Sequence, residues 1–151
     1  MKNIRNYLFR ILARREYSFY ELRNKLCTKF PNKSDDIEIV LKEFQEKGWA
    51  SDERFCETFI RSKVLTNKWG SRRLLMKLKE KGIEKDIALA KIEEIFPSDQ
   101  QEEVLRELIS KKREEIRKKG KTKNEYELRQ KILAYLVGKG FDLDIVKKSI
   151  L

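Results

Sequence analysis

The side chains able to do chemistry in this chain are almost all cations. Its 151 residues hold 36 lysines and arginines against 25 aspartates and glutamates, with no histidine and a net charge of +11. The absence of histidine removes the commonest general base and every His-containing zinc site. Two cysteines, Cys27 and Cys56, cannot build a structural zinc site alone. No Gly-x4-Gly-Lys-Ser/Thr loop and no Gly-x-Gly-x-x-Gly turn is present for a nucleotide. Asp35-Asp36 is a paired carboxylate, but it opens a helix that Ser34 is expected to cap, and that accounts for both acids. The chain therefore reads as a non-enzyme with no catalytic residue, cofactor, metal or small-molecule substrate. What remains is recognition of an anion by charge: nucleic acid, an acidic protein surface or an anionic membrane.

The elements that carry those cations follow from a phrase used three times. Leu22, Leu26 and Phe30 precede Asp36-Ile37; Leu74, Leu78 and Ile83 precede Asp86-Ile87; Ile132, Leu136 and Phe141 precede Asp144-Ile145. Self-similarity at this scale predicts an all-α fold of three tandem three-helix repeats, 1–48, 49–97 and 98–151, forming an elongated, curved array. Six glycines and two prolines suit helices better than strands and turns.

In repeat 1 the stripe Ile4, Leu8, Ile11, Leu12 predicts a first helix. Ser18 and Glu21 have capping-box spacing for a second, which Pro31 stops. Ser34 is expected to cap a third, with Ile37, Val40, Leu41 and Phe44 inward and Gly48 at its end. Repeat 2 places Phe55, Phe59 and Ile60 inward, restarts at Gly70-Ser71, ends its second helix at Gly82, and continues its apolar face through Ala90 and Ile95. Repeat 3 opens with Ser98 and Gln101 in reciprocal capping positions and a long helix to about Lys119. Thr122 and Glu125 form a further expected capping box, and the last helix runs to Leu151. Both cysteines fall in apolar helical patterns, which predicts two buried thiols. No apolar run approaches the roughly 18 residues of a membrane span. Arg5 and Arg10 break the N-terminal segment, so it is unlike a signal peptide. A reducing cytoplasm is the expected compartment.

The charge is spread evenly by repeat and unevenly within each. Residues 1–30 contain eight basic groups against Glu16 and Glu21, 61–81 contain eight against Glu80, and 111–131 contain ten against four acids. The third helices of the first two repeats lean acidic. Modules stacked in register would align helices 1 and 2 into a positive strip for a polyanion. Ordinary solvated helix faces and acids at helix starts account for the same runs, and both readings stand at this level.

Four local phrases stand in order along the chain: Leu12-Ala13-Arg14-Arg15-Glu16-Tyr17-Ser18 with Glu21-Leu22 and Lys25-Leu26; Gly48-Trp49-Ala50-Ser51-Asp52-Glu53-Arg54-Phe55 with Phe59-Ile60-Arg61; Gly70-Ser71-Arg72-Arg73-Leu74 with Leu78 and Lys81-Gly82-Ile83; and Leu136-Val137-Gly138-Lys139-Gly140-Phe141. Together they resemble the bacterial regulatory RecX family. Glu21, Leu22, Leu26, Gly48, Trp49, Asp52, Arg54, Phe55, Gly70, Gly82, Gly140 and Phe141 carry the motifs, and architecture explains most of them. Gly48 and Gly82 read as helix stops. Trp49 and Phe55 read as packing at the joint of repeats 1 and 2, Asp52 as a cap for the next helix, and Arg54 as a local pair. Cys56 departs from the alanine the family commonly has, Ala50-Ser51 is a less typical joint, and the first helix of repeat 3 matches in little but length and charge.

The resemblance implies a partner. Family members bind the RecA recombinase polymerised on single-stranded DNA, along the groove of its filament, and reduce filament growth, ATP hydrolysis, strand exchange and the co-protease function of the SOS response. On that basis the expected contact residues are Arg14, Arg15, Arg23, Lys25, Lys68, Arg72, Arg73 and Lys77, extended by Lys121, Lys123 and Arg129. The alternative is a basic helical protein that binds DNA by itself; weak direct DNA binding is compatible with either, and a membrane partner with neither.

Overall fold

A computed structural model describes residues 1–120 and 122–150 of the chain. Among the described residues there are nine α-helices, one π-helical turn and no strand. The helices are α1 (Lys2–Leu12), α2 (Phe19–Lys29), α3 (Ser34–Glu46), α4 (Asp52–Ser62), α5 (Ser71–Glu80), α6 (Lys85–Ile95), α7 (Ser98–Lys119), α8 (Glu125–Gly138) and α9 (Leu143–Ile150); the π-helical turn spans Lys63–Asn67. They fall in three successive triplets, so the chain is an all-α protein of three-helix repeats.

Local chemistry explains most of the boundaries. The Ser18 hydroxyl accepts from the Glu21 N–H at 3.2 Å while the Glu21 carboxylate accepts from the Ser18 N–H at 3.1 Å, which starts α2 with a complete capping box. Three helices end by one device. Gly48, Gly82 and Gly140 adopt φ of 72°, 80° and 97°. The following N–H then reaches back five residues: Trp49 to Phe44 (2.9 Å), Ile83 to Leu78 (3.0 Å) and Phe141 to Leu136 (3.2 Å). This Schellman closure satisfies carbonyls that a helix end leaves orphaned, and it needs a residue that tolerates positive φ.

The residues group into two compact units. The first comprises Met1–Phe59 with Lys77–Lys91; the second comprises Ile60–Met76 with the chain from Ile92 onward. Helices α4, α5 and α6 each contribute residues to both units. In the first unit Ile4 and Leu8 of α1, Leu22 and Leu26 of α2, and Ile37, Val40, Leu41 and Phe44 of α3 form a buried core. Each such side chain withdrawn from water contributes about 1.5–3 kcal/mol. In the second unit α7, α8 and α9 pack on one another through buried Leu105, Leu108, Ile109, Leu128, Ile132, Leu136, Val146 and Ile150.

Several sequence expectations need correcting. Ser34 is the first residue of α3 rather than its cap, and the N-cap Lys33 makes no side-chain cap. Pro97 holds that position for α7; Gln101 forms no capping box but is buried, its amide donating to the Phe96 carbonyl at 3.0 Å. Asn124, not Thr122, caps α8 by accepting from the Glu127 N–H at 2.8 Å. In α6 the Asp86-Ile87 pair marks a helix start but not an inward position: Ile87 is 43 % exposed, and Ala88, Ile92 and Phe96 form the buried face in place of Ala90 and Ile95. The inward position is the fourth residue of each third helix, which is Ile37, Ala88 and Val146. Cys56 is buried, but Cys27 is exposed on α2. The last helix is described only to Ile150, and Leu151 lies outside the described residues.

Candidate partner-binding surface

The basic residues before and within α2 belong to the first unit. The chain turns from α1 into α2 at Arg14–Tyr17, and the capping box brings Glu21 back over that turn. Arg15 donates to Glu21 at 3.0 Å and to the Glu16 carbonyl at 2.8 Å, and its guanidinium lies 3.6 Å from the Tyr17 ring centroid. Lys25 approaches the same ring at 5.6 Å. Lys81 also reaches Glu21, at 3.3 Å. Burial alone would raise the Glu21 pKa, but the bonds from Arg15 and the Ser18 N–H, with the charge of Lys81, hold it below the ordinary carboxylate value. Arg23 is taken by Glu38, its Nε at 2.6 Å from one oxygen and its terminal nitrogen at 3.2 Å from the other. That fork lowers the Glu38 pKa and raises that of Arg23. Lys77 pairs with Glu80 at 3.4 Å. Arg14 is exposed and makes no ion pair among the described residues.

The motif residues of the first unit lock the same turn. The Asp52 carboxylate accepts from the Phe19 N–H at 2.9 Å, so it caps α2 instead of α4. Ser51 caps α4, accepting from the Arg54 N–H at 3.2 Å. Burial outweighs the Phe19 bond and leaves the Asp52 pKa raised. Arg54 does not pair locally; it spans 38 residues to Glu16 at 2.9 Å and donates to the Gly48 carbonyl at 2.8 Å. Trp49 packs edge-on against Phe9 and Phe44, with ring centroids at 5.0 and 5.1 Å. A side chain on Gly82 would run into the Tyr20 side chain. Phe55 is buried.

The second unit treats its cations differently. Gly70 donates to the Lys139 carbonyl and Arg72 to the Gly140 carbonyl, both at 2.9 Å, so the start of α5 is seated on the glycine-rich end of α8. Any Cβ on Gly70 would meet the Gly140 carbonyl, and any on Gly140 would meet Arg73. Phe141, beside that contact, is buried. Arg73 stacks its guanidinium 4.8 Å from the Trp69 ring centroid, and its buried Nε has no hydrogen-bond partner. Lys63 lies over the same ring at 5.2 Å. Arg72 is exposed, lines a 330 Å³ hollow with Arg73, Met76, Val137 and Phe141, and makes no ion pair among the described residues. Lys68 is unpaired in the same sense and sits in the left-handed region at φ 55°. In α8, Arg129 pairs with Glu125 at 3.5 Å, and that carboxylate also takes Arg113, whose hydrogen bond lowers its pKa. Lys123 is exposed before α8, and its backbone N–H donates to Glu127. Lys121 lies outside the described residues.

Sequence reasoning missed the aromatic rings under the cations, Tyr17 and Trp69, and the π-helical turn before Lys68. The rings were legible as the only large aromatics in the two connecting segments; the π-helical turn has no comparable signal. No cluster of three or more potential metal-binding side chains occurs among the described residues, and none of their helices is long and apolar enough to cross a membrane.

Fold and surface together define a helical protein that offers charged and apolar patches, with no chemistry-bearing cluster among the described residues. Residues 51–90 match the family described as RecX, second three-helix domain, and residues 99–150 match RecX, third three-helix domain. Regulatory protein RecX of Haemophilus influenzae is 33% identical over 142 residues, spanning 92% of this chain and 87% of its own. That of Neisseria meningitidis is 31% identical, spanning 99% and 90%. The crystal structure of RecX from Lactobacillus salivarius superposes with a TM-score of 0.88 at 21% identity, covering 99% of this chain and 93% of its own, and so shares the fold. The chain belongs to the RecX family of regulatory proteins.

Proposed function

We propose that this protein binds the RecA recombinase on single-stranded DNA, in the groove of the filament, and reduces filament growth, ATP hydrolysis, strand exchange and SOS co-protease activity. The observation that carries the reading is similarity to regulatory RecX proteins over nearly the whole chain. The three repeats, 1–48, 49–97 and 98–151, act as modules of one binder, working without cofactor in the cytoplasm. Arg14, Lys68, Arg72 and Lys123 are the foremost contacts, because no carboxylate of the described chain neutralises them. Arg15, Arg23, Lys25, Arg73, Lys77 and Arg129 contribute through the rings and ion pairs that orient them, with Lys121 as a further contact.

The test is RecA ATP hydrolysis on single-stranded DNA, titrated with this protein at substoichiometric amounts. A fall in rate well below one copy per RecA supports the reading. An unchanged rate, together with tight RecA-free DNA binding that weakens steeply with salt, assigns the protein to stand-alone DNA binding instead. Arg72→Glu with Arg73→Glu is expected to weaken inhibition with helicity intact; full inhibition by that variant removes both residues from the surface.

A further inference from the structure

The second unit contains a cleft of about 540 Å³ beside the π-helical turn. Val64 and Leu65 of that turn, Ile95 at the end of α6 and Val104 of α7 supply its apolar lining. A volume of this size lies inside the roughly 300–1,000 Å³ range of sites that enclose several side chains or a small ligand. Leu65 is 72% exposed, more than Leu89 at 44% and Leu143 at 38%, the other exposed leucines among the described residues. None of the five residues of the π-helical turn is buried. Polar bonds tie the turn down: Thr66 donates to the Ser62 carbonyl at 2.6 Å, and the Lys139 ammonium donates to the Asn67 carbonyl at 2.8 Å. π-helical turns are rare and concentrate at functional sites.

The charge at this cleft is equally unusual. Lys68 closes the turn at φ 55° and ψ 41°, a conformation in which glycine is free of strain and a lysine is not. Strain of this kind points to a use for the side chain that occupies the position. Lys68 and Arg61 both line the cleft, and neither makes an ion pair among the described residues. Glu103 is the one acidic residue in the lining, so cations outnumber it.

We propose that this cleft docks a short peptide segment of a protein partner in which a carboxylate stands beside an apolar side chain. The apolar member enters between Leu65 and Val104, and the carboxylate meets Arg61 and Lys68. A nucleic acid fits poorly: the lining offers no exposed aromatic ring for a base to stack on, since Phe96 is buried, and Glu103 would repel phosphate. The assignment rests on the reading of the protein as a regulator that acts on another protein.

The experiment measures binding of the full chain to RecA filaments assembled on a fluorescein-labelled single-stranded oligonucleotide, for the unaltered protein, Leu65→Asp and Lys68→Gly. Leu65→Asp changes an exposed side chain and is expected to weaken binding roughly tenfold, with the circular dichroism unchanged. Lys68→Gly separates structure from docking. Relief of the left-handed lysine raises the melting temperature by roughly 2–4 °C, and loss of the ammonium weakens binding several-fold. A stabilised Lys68→Gly protein that binds as well as the unaltered one, together with full binding by Leu65→Asp, overturns the cleft while leaving the wider function standing. No filament binding by the unaltered protein overturns the function and the docking assignment together. Capture of dioleoylphosphatidylglycerol vesicles that Leu65→Asp abolishes transfers the cleft to a lipid and overturns it as a peptide site.

Discussion

The turns that lead into α2 and into α5 occupy the same place in successive repeats and carry similar runs of arginine, yet they treat charge in opposite ways. Before α2, a carboxylate is built into the turn. Glu21 caps the helix, takes Arg15 and Lys81, and leaves Arg14 as the cation of the turn with no ion pair among the described residues. Before α5 there is no such carboxylate. The turn is closed by main-chain bonds to Lys139 and Gly140, and its cations lie over Trp69 or face solvent. A count of basic residues ranks the two turns as equals; the positions of Glu21, Glu16 and Glu38 do not. The first turn spends its charge on holding the fold, and the second keeps it available.

The sharpest way to break this comparison is at Gly140. Gly140→Ala forces a Cβ against the Arg73 backbone at φ 97°, so the α5 seat must open. The combined conformational and steric cost is on the order of 3 kcal/mol, read as a fall in the denaturant midpoint. The control is Gly48→Ala, which has a similar positive φ and no neighbour within 4 Å, and should cost only about 1–2 kcal/mol. Equal losses at the two sites would show that the seat on α8 contributes nothing beyond backbone conformation.

A smaller effect tests the first turn. Ser18→Ala removes the α2 cap and is expected to cost about 1 kcal/mol, with thermal unfolding as the readout. Acidification examines the same network through Glu21. Its folded pKa lies below the ordinary carboxylate value, so its stabilising contribution is complete above the unfolded pKa near 4.5 and is lost as pH falls through the folded pKa. The stability difference between the parent and Glu21→Gln should therefore be constant from pH 7 to about 5 and shrink below 4.5. A difference that is flat through pH 3 would remove Glu21 as an ionised partner. Asp52, whose burial raises its folded pKa, works with the opposite sign and favours the fold as it becomes protonated. The smallest change is expected from Arg23→Gln, where an exposed pair with Glu38 is given up for about 0.5 kcal/mol.

Local signals made much of this fold legible. The Ser18–Glu21 box, the glycine stops at 48 and 82, and the inward stripes of α1 and α3 all follow from nearest-neighbour chemistry, and they hold. Where a position depends on tertiary packing, the sequence misleads. Ser34 and Thr122 have the right type for a cap, but the chain enters each helix one or two residues away. Asp86-Ile87 copies Asp36-Ile37 in letters, but α6 begins one residue later relative to the pair, which turns Ile87 outward and Ala88 inward. The candidate surface shows the same division. Residue types identified the cations, but which of them are neutralised depends on partners as remote as Glu38 for Arg23 and Glu21 for Lys81, a separation of 60 residues in the second case. The strained Lys68 and its cleft follow from a π-helical turn that no periodicity announces.

The seat of α5 on the end of α8 also bears on how such a gene tolerates damage. A stop codon after Pro97 would spare two complete helical triplets, yet it would take away Lys139 and Gly140, the acceptors for the Gly70 and Arg72 N–H groups. The shortened product would keep every residue of α5 and lose the surface that orients its first turn. A frameshift within α7 should therefore act like a lesion at Gly70 itself.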